Sequence, residues 1–323
     1  MNGIAILGAG AFGTALAIAF AGAGRNVTLW THDPEHAADM ARTRTNARRL
    51  PGIPFPEGIS VLHDLSKLDA DCILLAVPAQ ALRAFLDDRS ARLGGRTLIS
   101  CAKGIDRETG LRPTELIARA CPTARVAALT GPSFAEDVAR GLPTALTLAA
   151  GEDGEALQQT LATKTLRLYL THDILGAELG GALKNVIALA AGVTIGAGLG
   201  ESARAAVVTR GFAEITRFAV AMGADPETIA GLSGLGDLLL TCTSPKSRNY
   251  AAGLAVGSGE TPAMGVTIEG LATAEAVTDV AGRHGLEMPL SATVAAVTHG
   301  RTTVQEAAEQ LMSRPLRRER RND

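Results

Sequence analysis

A chain of 323 residues with 46% hydrophobic content is long enough for roughly two domains, each with its own core. Its formal net charge of −2 excludes a global positive field that would recruit nucleic acid. Its four cysteines and six histidines are scattered, without a CxxC pair or ligand spacing, which suits a reducing cytosol and argues against a metal site.

The first residues, Met1-Asn2-Gly3, run directly into an apolar strand with no basic or hydrophobic leader, so a cytoplasmic protein is expected. From there to about residue 175, short apolar runs alternate with amphipathic segments, the pattern of a mostly parallel α/β sheet. Strands are expected at 4–7, 27–30, 72–77, 97–101, 126–130 and 144–148, with a weaker one at 166–170. Helices are expected at 13–22, 34–42, 80–87, 112–120, 134–140 and 155–163. Beyond Asp173 the β-branched runs stop, and helical periodicity continues through 176–196, 203–222, 226–231, 247–257, 272–284, 290–298 and 304–312. The expected architecture is a Rossmann-type α/β domain over 1–175 followed by an all-α domain over 176–314. No long linker separates them, so they should pack around a cleft. Residues 315–323 hold the basic run Arg317-Arg318-Glu319-Arg320-Arg321 and read as a flexible, solvated tail. The most apolar stretch, Leu183 to Leu199, contains Lys184 and Asn185 and is interrupted by glycine. It reads as a buried helix, and no membrane insertion is expected.

Gly8-Ala9-Gly10-Ala11-Phe12-Gly13 follows the first strand and opens the first helix, the context in which a glycine-rich turn binds a dinucleotide. Gly8 permits the tight turn, Gly10 admits a pyrophosphate to the backbone, and Gly13 lets helix and strand pack closely. The free N–H groups of the helix start would then face the anion. The competing reading is a βα turn without a ligand. After the second strand comes Thr31-His32-Asp33-Pro34, where an NAD-selective site would place an acid on the ribose hydroxyls. Asp33 precedes a proline at a helix start, so it should cap that helix with Pro34 in the first turn. Thr31 and His32 then hold the reading position, with Arg48 and Arg49 as nearby cations. NADP(H) should be accepted and preferred, while Asp33 leaves NAD(H) open.

Two later strand ends face the same crevice. Ser100-Cys101-Ala102-Lys103-Gly104 puts a lysine where ligands gather, against the alternative of a surface lysine. Leu129-Thr130-Gly131-Pro132-Ser133-Phe134-Ala135 adds small residues and a hydroxyl. In the helical half, Lys184 lies in an apolar, Gly/Ala-rich helix, where a lone charge is costly without a partner or a task. Snorkelling, or pairing with Glu178, is the alternative. Ser247-Arg248-Asn249 offers a guanidinium fork and neutral donors beside a helix start, suited to a phosphate. The alternative there is an exposed arginine next to a serine cap.

These segments occur with Glu178-Leu179-Gly180-Gly181-Ala182-Leu183-Lys184-Asn185-Val186, Thr209-Arg210-Gly211 and Gly231-Leu232-Ser233-Gly234-Leu235-Gly236-Asp237-Leu238. Thr241-Cys242 and Thr267-Ile268-Glu269-Gly270 follow. Together they resemble the bacterial NAD(P)-dependent glycerol-3-phosphate dehydrogenase family over roughly residues 3 to 310. The resemblance implies a Rossmann domain followed by a helical domain, assembled as a homodimer. It also implies reversible hydride transfer between sn-glycerol 3-phosphate and dihydroxyacetone phosphate, a small-molecule reaction that feeds phospholipid synthesis.

By the same resemblance Lys184 is the proton-transfer residue and also a substrate contact. Lys103, Gly131, Ser133, Asp237, Ser247, Arg248 and Asn249 would bind substrate. Gly8, Gly10, Ala11, Phe12, Gly13, His32, Arg49, Lys103, Ala135, Arg248, Thr267 and Glu269 would contact the cofactor. Asp237 should orient Lys184 or a substrate hydroxyl. A base at Lys184 needs a pKa of roughly 7–8, about 3 units below a free lysine, and burial with Lys103 as a second cation would supply the shift.

Three positions depart from the family's pattern. Phe12 stands for the usual tryptophan and keeps an apolar ring, Arg49 exchanges a frequent aromatic for a cation, and Ser202 replaces an asparagine. A hydroxyacid or ketopantoate-type reductase would share the fold and the Lys-Asn pair without the Ser-Arg-Asn cluster. A non-catalytic NAD(P)-binding protein would have no need of Lys184.

Overall fold

The computed structural model describes residues 3–262 and 268–313. Thr267 and the tail at 315–323 lie outside the described residues. The first half runs β1 (Ile4–Leu7), α1 (Ala11–Gly22), β2 (Val27–Trp30), α2 (Pro34–Thr43), β3 (Thr45–Asn46), β4 (Leu50–Pro54), β5 (Ile59–Leu62) and β6 (Cys72–Leu75). It continues with α3 (Ala79–Arg89), β7 (Thr97–Ser100), α4 (Pro113–Ala120), β8 (Arg125–Thr130), α5 (Ala135–Ala139), β9 (Thr144–Ala149), α6 (Gly154–Leu161) and β10 (Leu166–Thr171). The second half is helical: α7 (Ile174–Gly196), α8 (Gly200–Ala221), α9 (Pro226–Ala230), α10 (Asp237–Cys242), α11 (Arg248–Gly257), α12 (Glu269–Arg283), α13 (Pro289–Thr298) and α14 (Val304–Met312).

The main sheet has the order β10-β9-β8-β7-β6-β1-β2-β5. Its pairings are parallel except β8 with β9, which is antiparallel. Residues alternate between two cores: Ile6 and Leu74 pack with α1, while Leu7, Ile73 and Leu75 pack with α3 and α4. Such all-apolar strands form only where helices cover both faces. The chain turns back on either side of β1, so the carboxyl ends of β1, β2 and β6 open on one crevice, the usual place for a ligand in an open parallel sheet.

The expected strands and helices are present, with ends shifted by three residues or fewer. Helix α7 starts at Ile174 because Asp173 caps it, accepting from Gly176 N at 2.8 Å. The periodicity missed the β3–β4 hairpin, the edge strand β5, helix α10 and the π-type turn at Leu232–Gly236 that precedes it. Strand β4 and the π-type turn are interrupted by glycine or proline, and β5 and α10 are only four and six residues long, so neither period develops over them.

Among the described residues α7 is the one helix long and apolar enough to cross a membrane, yet 83% of that stretch is buried inside the protein. It forms the axis of the second core with Leu183, Val186, Ile187 and Leu189. Two buried glutamates cap other helices from a distance. Glu178 of α7 accepts from Thr114 N at 2.9 Å, Thr114 Oγ1 at 2.5 Å and Arg112 Nη1 at 2.7 Å, tying α7 to the start of α4. Glu214 of α8 does the same for α13, accepting from Leu290 N and Ser291 N at 2.9 Å and from Ser291 Oγ at 2.8 Å. A carboxylate at a helix N-terminus satisfies orphan N–H groups and meets the positive end of the dipole.

Candidate active site

The glycine turn is built differently at each glycine. Gly8 has φ +122°, and a Cβ there would lie 2.4 Å from the Ala76 carbonyl oxygen. A Cβ at Gly13 would lie 2.1 Å from the Gly8 carbonyl oxygen, whereas one at Gly10 would meet nothing within 4 Å. Gly8 and Gly13 are therefore demanded by internal packing, and Gly10 alone faces open space. Helix α1 has no side-chain cap and no acid in its first turn, so the N–H groups of Ala11, Phe12 and Gly13 are turned to an anion's needs. This cradle fits a dinucleotide pyrophosphate.

The cradle is braced by a residue that no sequence motif singles out. Asn46 is fully buried, and its Nδ2 donates to Ala9 O at 3.0 Å and to Thr14 Oγ1 at 2.7 Å. With both amide hydrogens engaged, its Oδ1 must accept from His36 Nε2 at 2.9 Å, which fixes that histidine's tautomer. At the exit of β2, Asp33 caps α2 by accepting from Glu35 N and His36 N, and its second oxygen accepts from Arg48 Nη1 at 3.0 Å. His32 and Arg49 are exposed beside them.

At the other strand ends the polar chemistry converges. Lys103, just past β7, donates to Asp237 Oδ2 at 2.5 Å and to Gly131 O at 3.0 Å. Lys184, in the middle of α7, donates to Asp237 Oδ1 at 2.8 Å and to Thr241 Oγ1 at 2.7 Å. Thr241 Oγ1 donates its hydrogen bond to the Asp237 carbonyl oxygen at 2.5 Å, so its own oxygen can accept from Lys184. Each ammonium thus spends two of its three N–H bonds within the described residues and keeps one. Asp237 is 1% exposed and Lys184 is 7% exposed.

The close approach of α7 makes this possible. A Cβ at Gly181 would lie 2.6 Å from Thr130 Oγ1, and one at Gly180 would lie 2.9 Å from the Gly234 Cα. These glycines, three and four residues before Lys184, let its helix settle against the end of β8 and the π-type turn that presents Asp237.

Burial pulls the Lys184 pKa down to about 8; Asp237 opposes this, and the neighbouring Lys103 charge reinforces it. For Asp237, burial alone would favour the neutral acid. The Lys103 and Lys184 ammoniums outweigh that and hold its carboxyl below the ordinary range. Glu269, at the start of α12, has its carboxyl raised by burial, against the charges of Arg248, Lys184 and Lys103. Asn185 Nδ2 donates to it at 3.4 Å. Three cations therefore stand against two acids around one space, a balance that favours an anionic ligand.

Of the residues named from the sequence, Lys103, Lys184, Asp237 and Gly131 form one hydrogen-bonded cluster, and Ser133 Oγ adds a 3.4 Å contact to Gly131 O. Ala135 opens α5 nearby in sequence, partly buried. Ser247 and Asn249 are buried and hold structure as well: Ser247 Oγ accepts from Tyr250 N at 3.3 Å, and Asn249 Oδ1 accepts from Gly270 N at 2.9 Å. Ser247 keeps its hydroxyl proton and Asn249 its amide hydrogens for other partners. Arg248 between them is exposed. Glu178 pairs with Arg112 and not with Lys184. Thr241 and Asn46 were not singled out as contacts, and Arg48 was named only as a nearby cation; Thr241 left a signal in its place one helical turn beyond Asp237.

Comparison with known proteins covers nearly the whole chain. Residues 3–156 match the sequence model of the NAD-dependent glycerol-3-phosphate dehydrogenase N-terminus, and residues 173–309 match that of its C-terminus. The glycerol-3-phosphate dehydrogenase [NAD(P)+] of Paracoccus denitrificans is 58% identical over 318 residues, 98% of this chain and 99% of that one. The protein of the same name from Cereibacter sphaeroides is 56% identical over 318 residues, 98% of this chain and 100% of that one. Among solved structures, glycerol-3-phosphate dehydrogenase from Coxiella burnetii superposes with a TM-score of 0.92 at 36% identity, covering 97% of this chain and 99% of that one.

Proposed function

The chain belongs to the NAD-dependent glycerol-3-phosphate dehydrogenase family, and on that premise we propose that Lys184 transfers the proton in the reversible reduction of dihydroxyacetone phosphate to sn-glycerol 3-phosphate. The observation that carries this reading is the buried Lys103–Asp237–Lys184 cluster. NAD(P)H, when bound on the cradle of Gly8, Gly10, Ala11, Phe12 and Gly13, supplies the hydride that C2 of the ketone receives.

The side chains do the rest. The remaining N–H of Lys184 donates to the C2 oxygen and gives up its proton as that oxygen gains charge. In the alcohol-oxidising direction the neutral amine takes the hydroxyl proton. A pKa of about 8 makes both forms accessible near neutral pH. Asp237 holds both lysines and compensates their burial, and Lys103 contacts substrate and cofactor together. Arg248, Ser247, Asn249, Gly131 and Ser133 bind the substrate's phosphate and hydroxyls. Glu269, Ala135 and Arg248 face the cofactor, while His32 and Arg49 flank its adenosine end.

The division into a cofactor-binding domain over 1–175 and a helical substrate domain over 176–314 follows from this use of the two halves. The protein acts in the cytoplasm as a homodimer, and the dimer is supported by Leu199, Val220 and Leu239, large apolar side chains exposed on the helical half. Its product supplies the glycerol backbone for phospholipid synthesis. A ketopantoate-type reductase is not favoured, since both halves match the glycerol-3-phosphate dehydrogenase models.

The test is Lys184→Met. NADPH affinity, read by fluorescence titration, should be unchanged, while turnover falls by roughly 10²–10⁴-fold, the usual worth of a positioned acid–base group. Retained turnover would move the proton transfer to another residue.

A further inference from the structure

The exit of β2 carries an arrangement that the proposed reaction does not use. Where a carboxylate reads the cofactor's ribose hydroxyls, its oxygens must be open to them. At Asp33 they are engaged: Oδ1 accepts from Glu35 N at 2.9 Å and His36 N at 3.0 Å, and Oδ2 accepts from Arg48 Nη1 at 3.0 Å. The backbone bond from His36, more than the Arg48 charge, holds this carboxyl ionised below its ordinary range.

Arg48 is delivered from a fixed point. Two residues before it, Asn46 is locked to the Ala9 carbonyl of the glycine turn, to Thr14 of α1 and to His36 of α2. The backbone that carries Arg48 is therefore in register with the pyrophosphate cradle, while its side chain remains 51% exposed. One of its five N–H donors meets Asp33, and an exposed ion pair of this kind is cheap to exchange. A phosphate dianion is the stronger partner for a guanidinium fork.

Building on the cofactor reading above, we propose that Arg48 reads the 2′-phosphate of NADP(H), with Asp33 as the counter-ion on which it rests when that phosphate is absent. The exchange accounts for acceptance of both nucleotides. With NADP(H), the fork turns to the phosphate and Asp33 retains its capping bonds. With NAD(H), Arg48 stays on Asp33 and masks it. His32 stands exposed at the same strand exit as an auxiliary donor.

Fragments that lack nicotinamide separate this proposal from the catalytic one, because no turnover is read. Calorimetric titration of the full-length protein should show adenosine 2′,5′-bisphosphate binding about 10–100-fold tighter than adenosine 5′-monophosphate, the range expected of a hydrogen bond to a charged group. Arg48→Ala should reduce that ratio to within about threefold by weakening the bisphosphate alone. Asp33→Asn keeps a good helix cap while removing the counter-ion, so it should leave the bisphosphate affinity equal or tighter. A ratio that survives in Arg48→Ala would assign the reading to His32 or Arg49 and overturn the proposal. Equal weakening of both fragments would do so too, making Arg48 a brace of the fold.

Discussion

At the scale of single residues, the proton transfer proposed for Lys184 depends on where its charge is held. A lysine buried in an apolar helix loses hydration, and Lys103 repels it further, while Asp237 returns part of the loss. The sign of its pH dependence follows. Ketone reduction needs the ammonium form, so kcat/KM for the ketone should be level below about pH 8 and fall as pH rises through that value. Alcohol oxidation needs the neutral amine and should rise through the same region. Steady-state rates in both directions across pH 6 to 10, roughly the span between ordinary histidine and lysine titration, would check this. Asp237→Asn removes the main anion that lifts the Lys184 pKa, leaving only the Glu269 charge to do so, and the midpoint should therefore move below 8. A midpoint near the ordinary lysine value of about 10.4 would contradict the account. Lys184 was legible in the sequence because a cation amid Gly and Ala calls for an explanation. Asn46 was not, and Arg48 was legible only as a nearby cation, since their partners Ala9, Thr14, His36 and Asp33 are brought to them by the hairpin fold.

At the scale of elements, α7 organises the helical half by letting α11 cross it at backbone contact. Gly192 and Gly196 of α7 face Gly253 and Gly257 of α11, and a Cβ at any of them would lie 2.1–2.3 Å from a backbone atom of the other helix. This crossing fixes the start of α11, which presents Ser247, Arg248 and Asn249, relative to Lys184. Gly253→Ala would place its Cβ 2.2 Å from the Leu189 carbonyl oxygen, so the helices must separate. The expected cost is about 1–3 kcal/mol in chemical denaturation, with a raised KM for the ketone phosphate. Unchanged stability would show that the crossing is not tightly packed. Helix α7 was legible because it is long and apolar over most turns, and Cys72-Ile73-Leu74-Leu75 because an unbroken apolar run reads as a strand buried between two helical layers. The turn at Leu232–Gly236 was not, because glycine-rich sequence disfavours a helix and packing against Gly180 supplies what propensity lacks, and α10 is a single short run of six residues.

At the scale of the molecule, the candidate site exists only at the junction of the halves. Lys103 and Gly131 come from strand ends, whereas Lys184, Asp237 and Thr241 come from helices. The junction is tied again by Glu178 at the start of α4 and by Arg107 of the loop after β7, paired with Glu275 of α12. The change of periodicity near residue 175 made two halves legible, and the strand-end motifs marked one wall of the crevice. The pairing of Asp237 with two lysines lay beyond sequence, because it joins residues 134 and 53 positions apart. The reaction proposed for this junction is the reduction of a ketone bearing a phosphate. The most direct measurement is oxidation of NADPH by the intact protein, followed by absorbance, with dihydroxyacetone phosphate or dihydroxyacetone as acceptor. Rapid oxidation with the phosphate ester and little or none with the free ketone is the predicted result; equal rates, or none with either, would contradict it.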